Sequence, residues 1–254
     1  MSSPGVRHEV TAEGAVHTVT IDRPPGNVID IELSDQLLSV IESAAEAADG
    51  KVLVLRATGR HFSFGASVEE HLPETAPEML SALGRVVRRL VGFPYPTVAG
   101  VQGSCLGGGL ELVLACGIVI AEESATLANP EIQLGVFAPA ATALLSGRGA
   151  EDLLLTGRSL RAEEGLRMGI VDVVCPGGDL DASVDRFVTE HFVPRSALSL
   201  RLATRAIRER SAPEILRRLD DLERLYLEEL LATHDGVEGI RAFIEKRPPR
   251  WMNA

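Results

Sequence analysis

The sequence predicts an α/β fold with parallel strand pairing, followed by a C-terminal part that is entirely helical. Short runs rich in β-branched residues alternate with helical stretches up to about residue 195. From about residue 196 onward, the apolar residues recur only at helical spacing. We therefore expect a core over residues 1–195 and a helical segment over residues 196–254 that packs on the core or on another subunit.

Composition and charge exclude several classes of function. The chain has 254 residues, 45% of them apolar, and 25 basic against 36 acidic residues give a net charge of −11. This acidity argues against binding of nucleic acid or of an anionic membrane surface. The chain has no long apolar span, and its first ten residues lack the apolar core of a signal peptide. Three cysteines without C-x-x-C spacing and six histidines without H-x-x-x-H spacing favour a cytoplasmic protein with reduced thiols and no metal.

The N-terminal elements follow from strand alternation and from helix capping. Residues 8–21 alternate around the turn AEGA, which predicts a β-hairpin. After the loop RPPGNVID, residues 33–48 have helical spacing, with Ser34 as the expected N-cap. The apolar run KVLVLRAT at 51–58 predicts a buried strand.

The central and C-terminal elements complete the alternation. A polar and aromatic connection over 59–73 leads to a helix at 77–92, whose basic face carries Arg85, Arg88 and Arg89. A strand at 97–102 then enters the glycine-rich turn GSCLGGG. Further helices are expected at 108–116, 150–156, 161–168, 196–210, 213–233 and 236–246, and further strands at 117–122, 125–129 and 171–175.

Two glycine-bearing turns each follow a predicted strand. GSCLGGGLE at 103–111 places three glycines ahead of a helix, although each glycine costs roughly 0.5–1 kcal/mol relative to alanine there. HFSFGAS at 61–67 follows the strand at 51–58 in the same way. Together the turns could aim two backbone N–H groups at one point and form an oxyanion hole. On spacing alone, tight turns remain the commoner explanation of these glycines.

Two carboxylates lie in apolar sequence after these turns. Glu111 falls in the first turn of the helix after the glycines, and Glu131 lies in ANPEIQLG. A carboxylate in such surroundings must be paired, hydrogen-bonded or raised in pKa. Separately, Glu111 could complement the helix dipole and Glu131 could be a surface charge. Taken with the glycine turns, the two residues are candidates for acid–base chemistry.

The same region allows other interpretations. GSCLG fits the nucleophile elbow G-x-S-x-G with Cys105 as the nucleophile, and Asp172 and His234 follow in the order of an α/β-hydrolase-like enzyme. Against this, two more glycines follow, and Cys105 has no activating neighbour in sequence. A dinucleotide-binding turn is weaker, because G-x-G-x-x-G is not matched. VEEHLP could suggest a metal site, but a solvated turn explains it better.

The motifs HFSFGAS, GSCLGGGLELVLAC and ANPEIQLGV, in this order, resemble those of the enoyl-CoA hydratase/isomerase, or crotonase, superfamily. RPPGNVID, LLLTGRSLRAEEGLRMGIVDVV and EGIRAFIEKRPPRW extend the resemblance over nearly the whole chain. The resemblance implies a crotonase-like spiral of ββα units that ends in the helical segment. It also implies an acyl-CoA substrate, no cofactor beyond the CoA of that substrate, and a homotrimer or homohexamer.

The resemblance also assigns roles to individual residues. The backbone N–H groups of Ala66 and Gly108 would form the oxyanion hole for the thioester carbonyl. Glu111 and Glu131 match the two glutamates of the hydratases, and Cys105 would then be a packing residue. Arg60 matches a position that is often basic and would contact a CoA phosphate.

Several departures from the family pattern concern the acyl pocket. Phe64 replaces a small residue, Ser67 replaces an aspartate, and Phe137 and Pro139 replace a glycine-rich run. With FSFGASVEEHLP and GVFAPA, the chain is similar to the cyclohexa-1,5-diene-1-carbonyl-CoA hydratases. That similarity implies hydration to 6-hydroxycyclohex-1-ene-1-carbonyl-CoA. A general short-chain enoyl-CoA hydratase/isomerase and a non-catalytic CoA-ester-binding scaffold are the alternatives.

Overall fold

The fold is built around two β-sheets. The computed structural model describes residues 5–145 and 148–254. Residues 1–4, which begin the stretch considered for a signal peptide, lie outside these ranges. The larger sheet has the order β1-β2-β3-β4-β6-β9, and the smaller one has the order β5-β7-β8. The strands are β1 (Val6–Thr11), β2 (Val16–Ile21), β3 (Val52–Ala57), β4 (Thr97–Val101), β5 (Ser104–Leu106), β6 (Ile118–Glu122), β7 (Thr126–Ala128), β8 (Leu160–Arg161) and β9 (Val173–Cys175).

Parallel pairing dominates the larger sheet, as predicted. Only β1 and β2 pair antiparallel there, and β2, β3, β4, β6 and β9 are all parallel neighbours. Within β3, Val52 through Leu55 are all buried, as expected for a parallel sheet covered on both faces. Leu53 and Leu55 belong to the main core, whereas Val52 and Val54 face the opposite layer.

Helices cover both faces of this sheet. On one side, apolar residues of α1, α2 and α3 form the main core with the strands. On the other side, α7 packs through residues such as Val184 and Val188. The helices are α1 (Ile31–Glu46), α2 (Ala76–Val91), α3 (Gly108–Leu114), α4 (Pro139–Leu144), α5 (Arg148–Thr156), α6 (Ala162–Met168), α7 (Leu180–His191), α8 (Ala197–Leu225) and α9 (His234–Ile244).

The expected N-cap of α1 is wrong. The helix begins at Ile31, and the Oδ1 atom of Asp30 accepts a hydrogen bond from the Leu33 amide at 2.8 Å. Ser34 lies inside the helix and is buried. Asp30 and Ser34 are both residues that cap helices well, so sequence alone did not decide between them.

Four strands and helices are absent from the sequence-based prediction, and one of them is the two-residue strand β8, which pairs antiparallel with β7. β5 interrupts the glycine-rich turn and pairs in parallel with β7, but three residues are too few to show an alternating pattern. α4 begins at Pro139, in a stretch for which the sequence predicted neither a helix nor a strand. α7 was missed although Leu180, Val184 and Val188 recur at helical spacing and are buried.

The helix α8 is continuous where a break was predicted near residue 211. It runs through Pro213, which is exposed, as is Glu209, whose carbonyl oxygen the proline leaves without a helical donor. Proline removes one helical hydrogen bond, and water can reach the freed carbonyl in this exposed stretch. After Leu225 the chain continues as a π-helical turn, Tyr226–Leu230.

The C-terminal helices fold back onto the core. Arg88 of α2 pairs with Glu223 of α8, with 2.6 Å between Nη2 and Oε2, and with Asp220 at 2.5 Å. Arg218 donates to the Thr142 carbonyl oxygen at 3.1 Å, which ties α8 to α4. The boundary at residue 195 stays a prediction. Over the described ranges, no helix combines the length and apolar character needed to cross a bilayer.

Candidate active site

The two glycine-bearing turns lie side by side, as the sequence predicted. Ser63 forms a parallel bridge with Cys105 of β5. The Ser63 amide donates to the Ser104 carbonyl oxygen at 3.1 Å, and the Leu106 amide donates to the Ser63 carbonyl oxygen at 2.9 Å. The segment after β3 therefore runs beside the segment that enters α3.

The backbone amides of Ala66 and Gly108 meet at this contact. A Cβ atom on Gly108 would lie only 3.2 Å from the Ala66 nitrogen, so the two segments approach closely and a larger residue there would push them apart. Ala66 forms a parallel β-bridge with Ile29, and the hydrogen bonds of this bridge come from the residues on either side of Ala66. Gly108 is the first residue of α3. Within the described ranges, neither amide donates to a protein acceptor. Two adjacent donors of this kind have the makings of an oxyanion hole.

A buried asparagine holds the Ala66 loop in place. Asn27 adopts a left-handed backbone conformation with φ of 49°. Its Nδ2 atom donates to the carbonyl oxygens of Thr58, His61 and Phe62 at 3.0, 3.0 and 3.1 Å. Its own carbonyl oxygen accepts from Ser63 Oγ at 2.8 Å. Asn27 was not predicted as a site residue, although asparagine in RPPGNVID is a residue type that tolerates this conformation.

Glu111 projects from α3 into a buried environment. The residue is 4% exposed, and its Oε1 atom accepts a hydrogen bond from the Ala141 amide of α4 at 2.9 Å. Burial raises the pKa of Glu111 to about 7, although this hydrogen bond acts in the opposite direction. The carboxyl group is thus able to exchange a proton near neutral pH. Glu111 therefore does more than complement the helix dipole.

Glu131 approaches the same place from the 3₁₀ helix Pro130–Leu134. Gly107 has φ of 49°, and a Cβ atom there would lie 2.5 Å from Glu131 Oε1, so glycine makes room for this carboxyl group. The Oε2 atom is buried and has no hydrogen-bond partner among the described residues. Burial, followed by the charge of Glu111, raises the pKa of Glu131 to about 8. Glu131 is therefore not a surface loop charge.

A small apolar cluster, separate from the main core, adjoins the site. It includes Met79, Leu80, Val136, Tyr226 and Ile240, with Ala66 and Phe137 packed against it. The rings of Phe137 and Tyr226 meet edge to face at 5.4 Å between centroids. The cluster supplies an apolar wall beside the two amides.

The other residues predicted to form the pocket or bind CoA are placed differently. Pro139 is buried at the start of α4, the helix whose Ala141 amide binds Glu111. Phe64 is 46% exposed, with its ring 4.8 Å from that of His61. Arg60 is exposed and joins no ion pair within the described ranges. Roles for Phe64 and Arg60 in substrate binding stay predictions.

The hydrolase alternative is wrong. Cys105 is fully buried within β5, and burial raises the pKa of its thiol well above the ordinary value. The Oδ2 atom of Asp172 accepts from the Val119 amide at 2.8 Å. His234 is exposed and pairs with Asp235 at 2.9 Å. A buried, protonated thiol without a base has no nucleophilic role.

The VEEHLP segment has structural contacts. Glu70 Oε2 accepts from the Ile31 amide at 3.1 Å, and His71 Nδ1 lies 2.7 Å from the Ser67 carbonyl oxygen, to which it donates. Among the side chains of residues 5–145 and 149–254, no group of three or more potential metal ligands is found.

Comparison with known proteins identifies the family. The family model described as enoyl-CoA hydratase/isomerase matches residues 11–254. The chain belongs to this family. A cyclohexa-1,5-dienecarbonyl-CoA hydratase of Thauera aromatica is 43% identical over 95% of the chain and 94% of that protein. An enoyl-CoA isomerase/hydratase of Mycosarcoma maydis is 31% identical over 92% of the chain and 91% of that protein.

Solved structures agree with this assignment. The crystal structure of an enoyl-CoA hydratase from Mycobacterium avium subsp. paratuberculosis K-10 superposes with a TM-score of 0.84 and 28% identity. The match covers 99% of this chain and 100% of that one. The predicted crotonase superfamily and its fold are confirmed.

The two raised carboxyl pKa values predict how the stability of this enoyl-CoA hydratase/isomerase family member depends on pH. The folded state binds protons on Glu111 and Glu131 more tightly than an unfolded chain with carboxyl pKa values near 4.5. The contribution of these two groups to the free energy of unfolding should therefore be largest below about pH 4.5. It should be lost as pH rises through 7 and 8. At pH 8.5, Glu131→Gln should be more stable than wild type by at least about 1 kcal/mol, and this gain should shrink towards pH 5.

Urea unfolding at pH 5 and pH 8.5 measures this difference. Glu46→Gln, at the exposed end of α1, is the matched control, and its effect should be the same at both pH values. Equal effects of Glu131→Gln at the two pH values would contradict the buried, proton-binding state of Glu131.

Proposed function

We propose that the protein hydrates cyclohexa-1,5-diene-1-carbonyl-CoA to 6-hydroxycyclohex-1-ene-1-carbonyl-CoA. The observation that carries the proposal is the pair of buried carboxyl groups, Glu111 and Glu131, beside the Ala66 and Gly108 amides. Addition of water to a conjugated thioester needs a base, an acid and a site for negative charge, and these groups can supply all three. The relative from Thauera aromatica, 43% identical and named for this activity, supports the substrate.

The two amides would act on the thioester carbonyl. Hydrogen bonds from Ala66 and Gly108 polarise this group and stabilise the oxyanion that forms when water attacks. Such a donor is worth about 3–4 kcal/mol in the transition state. The N-terminus of α3, which begins at Gly108, adds its partial positive charge.

The carboxyl groups would divide the acid and base roles. Burial raises the pKa of both groups, but Glu131 has the higher value, about 8 against about 7 for Glu111. The charge of Glu111 raises the pKa of Glu131 further, whereas hydrogen bonds from the Ala141 and Ala140 amides lower the pKa of Glu111. When the pair holds one proton, that proton favours Glu131, and Glu111 is ionised. Glu111 then takes a proton from the attacking water, and Glu131 gives its proton to carbon.

The conjugation of the substrate decides which carbon receives that proton. The water oxygen bonds to the β carbon, and the electron pair of the first double bond moves to the α carbon and the thioester oxygen. This dienolate extends through the second double bond. Protonation at the far end leaves one double bond at the α carbon and gives the 6-hydroxy product. Transfer of the proton from Glu111 to Glu131 restores the starting state.

The apolar cluster supports a compact cyclic acyl group. A six-membered dienoyl ring is flat and rigid, and the facing rings of Phe137 and Tyr226 narrow the space beside Ala66. A general short-chain enoyl-CoA hydratase/isomerase remains the second candidate, because the Mycosarcoma maydis relative carries that name. The proposed reaction needs no cofactor beyond the CoA of its substrate. We also propose a cytoplasmic location and contact of Arg60 with a CoA phosphate.

Substitution of each glutamate tests the chemistry. Glu111→Gln and Glu131→Gln should each lower kcat by about 10²–10⁴-fold while binding of the CoA ester persists, because each removes one proton transfer. Steady-state kinetics and calorimetric binding of a CoA ester measure the two effects. Cys105→Ala and Glu70→Gln are the controls and should stay within a few-fold of wild-type kcat.

Three outcomes separate the alternatives. Wild-type turnover by both glutamine variants would reject the hydratase mechanism. Complete loss of turnover in a folded Cys105→Ala variant would contradict the packing role of Cys105. Binding of acyl-CoA without turnover of any enoyl-CoA by the wild-type protein would indicate a non-catalytic scaffold.

Substrate discrimination tests the cyclic acyl group. The ratio kcat/KM for cyclohexa-1,5-diene-1-carbonyl-CoA should exceed that for crotonyl-CoA by at least about 10²-fold, or about 2.7 kcal/mol of transition-state binding. The reason is that the flat ring packs against the apolar wall. In addition, the dienolate needs a proton donor at its far end, away from the α carbon. A preference for crotonyl-CoA would contradict the cyclic substrate and favour a general short-chain enoyl-CoA hydratase/isomerase.

We further propose a homotrimer or a homohexamer, with α8 contributing to subunit contacts. Leu198, Leu202 and Ile207 on α8 are 66%, 47% and 76% exposed, which is unusual for large apolar side chains grouped on one helix. Sedimentation equilibrium at micromolar concentration should give three or six times the 27.1 kDa chain mass. A stable monomer would contradict the assembly.

A further inference from the structure

Tyr226 is a buried polar residue with no role in the reaction as derived above. It is 1% exposed and begins the π-helical turn that follows α8. π-Helical turns are frequent at functional sites. Its ring packs against Phe137, and within the described ranges its hydroxyl group has no hydrogen-bond partner. Buried hydroxyl groups without a partner are rare, so this one requires an explanation.

Unpartnered polar atoms concentrate at this place. Glu131 Oε2 and Asn129 Oδ1 are also buried without a partner, while the Nδ2 atom of Asn129 donates to the Gly107 carbonyl oxygen at 3.4 Å. Burial raises the pKa of the Tyr226 hydroxyl most. The negative charge of Glu131 and then that of Glu111 raise it further. Tyr226 therefore keeps its proton at neutral pH and is a hydrogen-bond donor there.

An ion pair fixes the helix that carries this tyrosine. Glu223 lies one turn before Tyr226 on α8 and receives two hydrogen bonds from Arg88, at 2.6 and 3.0 Å. A Cβ atom on Gly84 would lie 2.3 Å from Glu223 Oε1, so α2 and α8 are in close contact here. The end of α8 is held against the core, and Tyr226 is held in the apolar cluster that adjoins the site, where the charges of both glutamates act on its hydroxyl group.

We propose that Tyr226 is a positioning residue for Glu131, donating a hydrogen bond to Glu131 Oε2 through one bridging water. The inference rests on the proposed function only in giving Glu131 the role of proton donor. With Oε2 held by Tyr226, the proton is carried by Oε1, the oxygen that lies over Gly107 beside the oxyanion amides. The same bond stabilises the carboxylate that remains after Glu131 has given up its proton.

Other charged groups near Glu131 have partners of their own. Glu111 faces it from α3, and Glu223, which faces Glu111, is paired with Arg88. The charged side chains that the structure describes on α9 and α5, the helices that pack on the Pro130–Leu134 helix, are paired or exposed. Asp235 pairs with His234, Glu238 with Arg247 and Asp152 with Arg158, and Arg241 and Glu151 are exposed. Tyr226 is thus the neutral donor whose removal should act on Glu131 directly.

Tyr226→Phe tests the proposal, with Tyr95→Phe as the matched control. Tyr95 is the other tyrosine of the chain; it is fully buried and donates to the Ala44 carbonyl oxygen at 2.7 Å, in the main core. The pKa of Glu131 is followed by ¹³C NMR of glutamate carboxyl carbons, assigned with Glu131→Gln. It should rise by about half a pH unit or more in Tyr226→Phe and stay constant in Tyr95→Phe, because only the first loses a donor to Glu131.

Kinetics supply a second readout. In Tyr226→Phe, kcat for hydration should fall by about 10-fold or more with KM within about three-fold, and the alkaline limb of the kcat profile should move to higher pH. The shift has this sign because Glu131 then holds its proton more tightly. Incorporation of 3-fluorotyrosine at position 226 should lower the pKa of Glu131 instead, since fluorine makes the hydroxyl a stronger donor.

An unchanged Glu131 pKa in both folded variants at position 226 would overturn the proposal, whatever the effect on kcat. Folding is checked by near-UV circular dichroism, and Tyr226→Phe should fold well because it removes an unpartnered hydroxyl group. The NMR titration uses no substrate. A shifted pKa without turnover of the cyclic dienoyl-CoA would therefore contradict only the proposed function.

Discussion

The site depends on the close approach of two backbone segments, one ending at Ala66 and the other beginning at Gly108. A Cβ atom on Gly108 would come within 3.2 Å of the Ala66 nitrogen, and one on Gly107 would collide with Glu131. The glycines therefore let two chain segments and a carboxyl group share one small volume. The bridge between Ser63 and Cys105 aligns these segments, and Asn27 fixes the loop on the Ala66 side.

Crowding of two carboxyl groups in a buried space follows from this packing and gives the site its chemistry. In water both would be ionised at neutral pH, whereas burial raises the pKa values of Glu111 and Glu131 to about 7 and about 8. The cost is that the folded protein keeps acidic groups where charge is poorly solvated. The benefit is that a proton donor and a proton acceptor coexist near neutral pH, which addition of water requires.

The C-terminal helices complete the site and also support the fold. The pairing of Arg88 with Glu223 and Asp220 connects α8 to α2, and Tyr226 follows on the same helix. Residues far apart in sequence, from Ala66 to Ile240, thereby form one apolar cluster beside the amides. Side chains of the last sixty or so residues thus shape a site whose amides and glutamates come from the first part of the chain.

By itself the sequence determined the parallel α/β core, the two glycine turns, the pair of glutamates and the family, because strand runs, glycines and motif spacing are local signals. Only the tertiary structure decided the cap at Asp30, the short strand β5, the continuity of α8 through Pro213 and the burial of Cys105. The tertiary structure also places Asn27 and Tyr226 beside the site, although no motif indicated a role for either residue. Their environment comes from distant segments, and hydrogen bonds, burial and charge are properties of that environment.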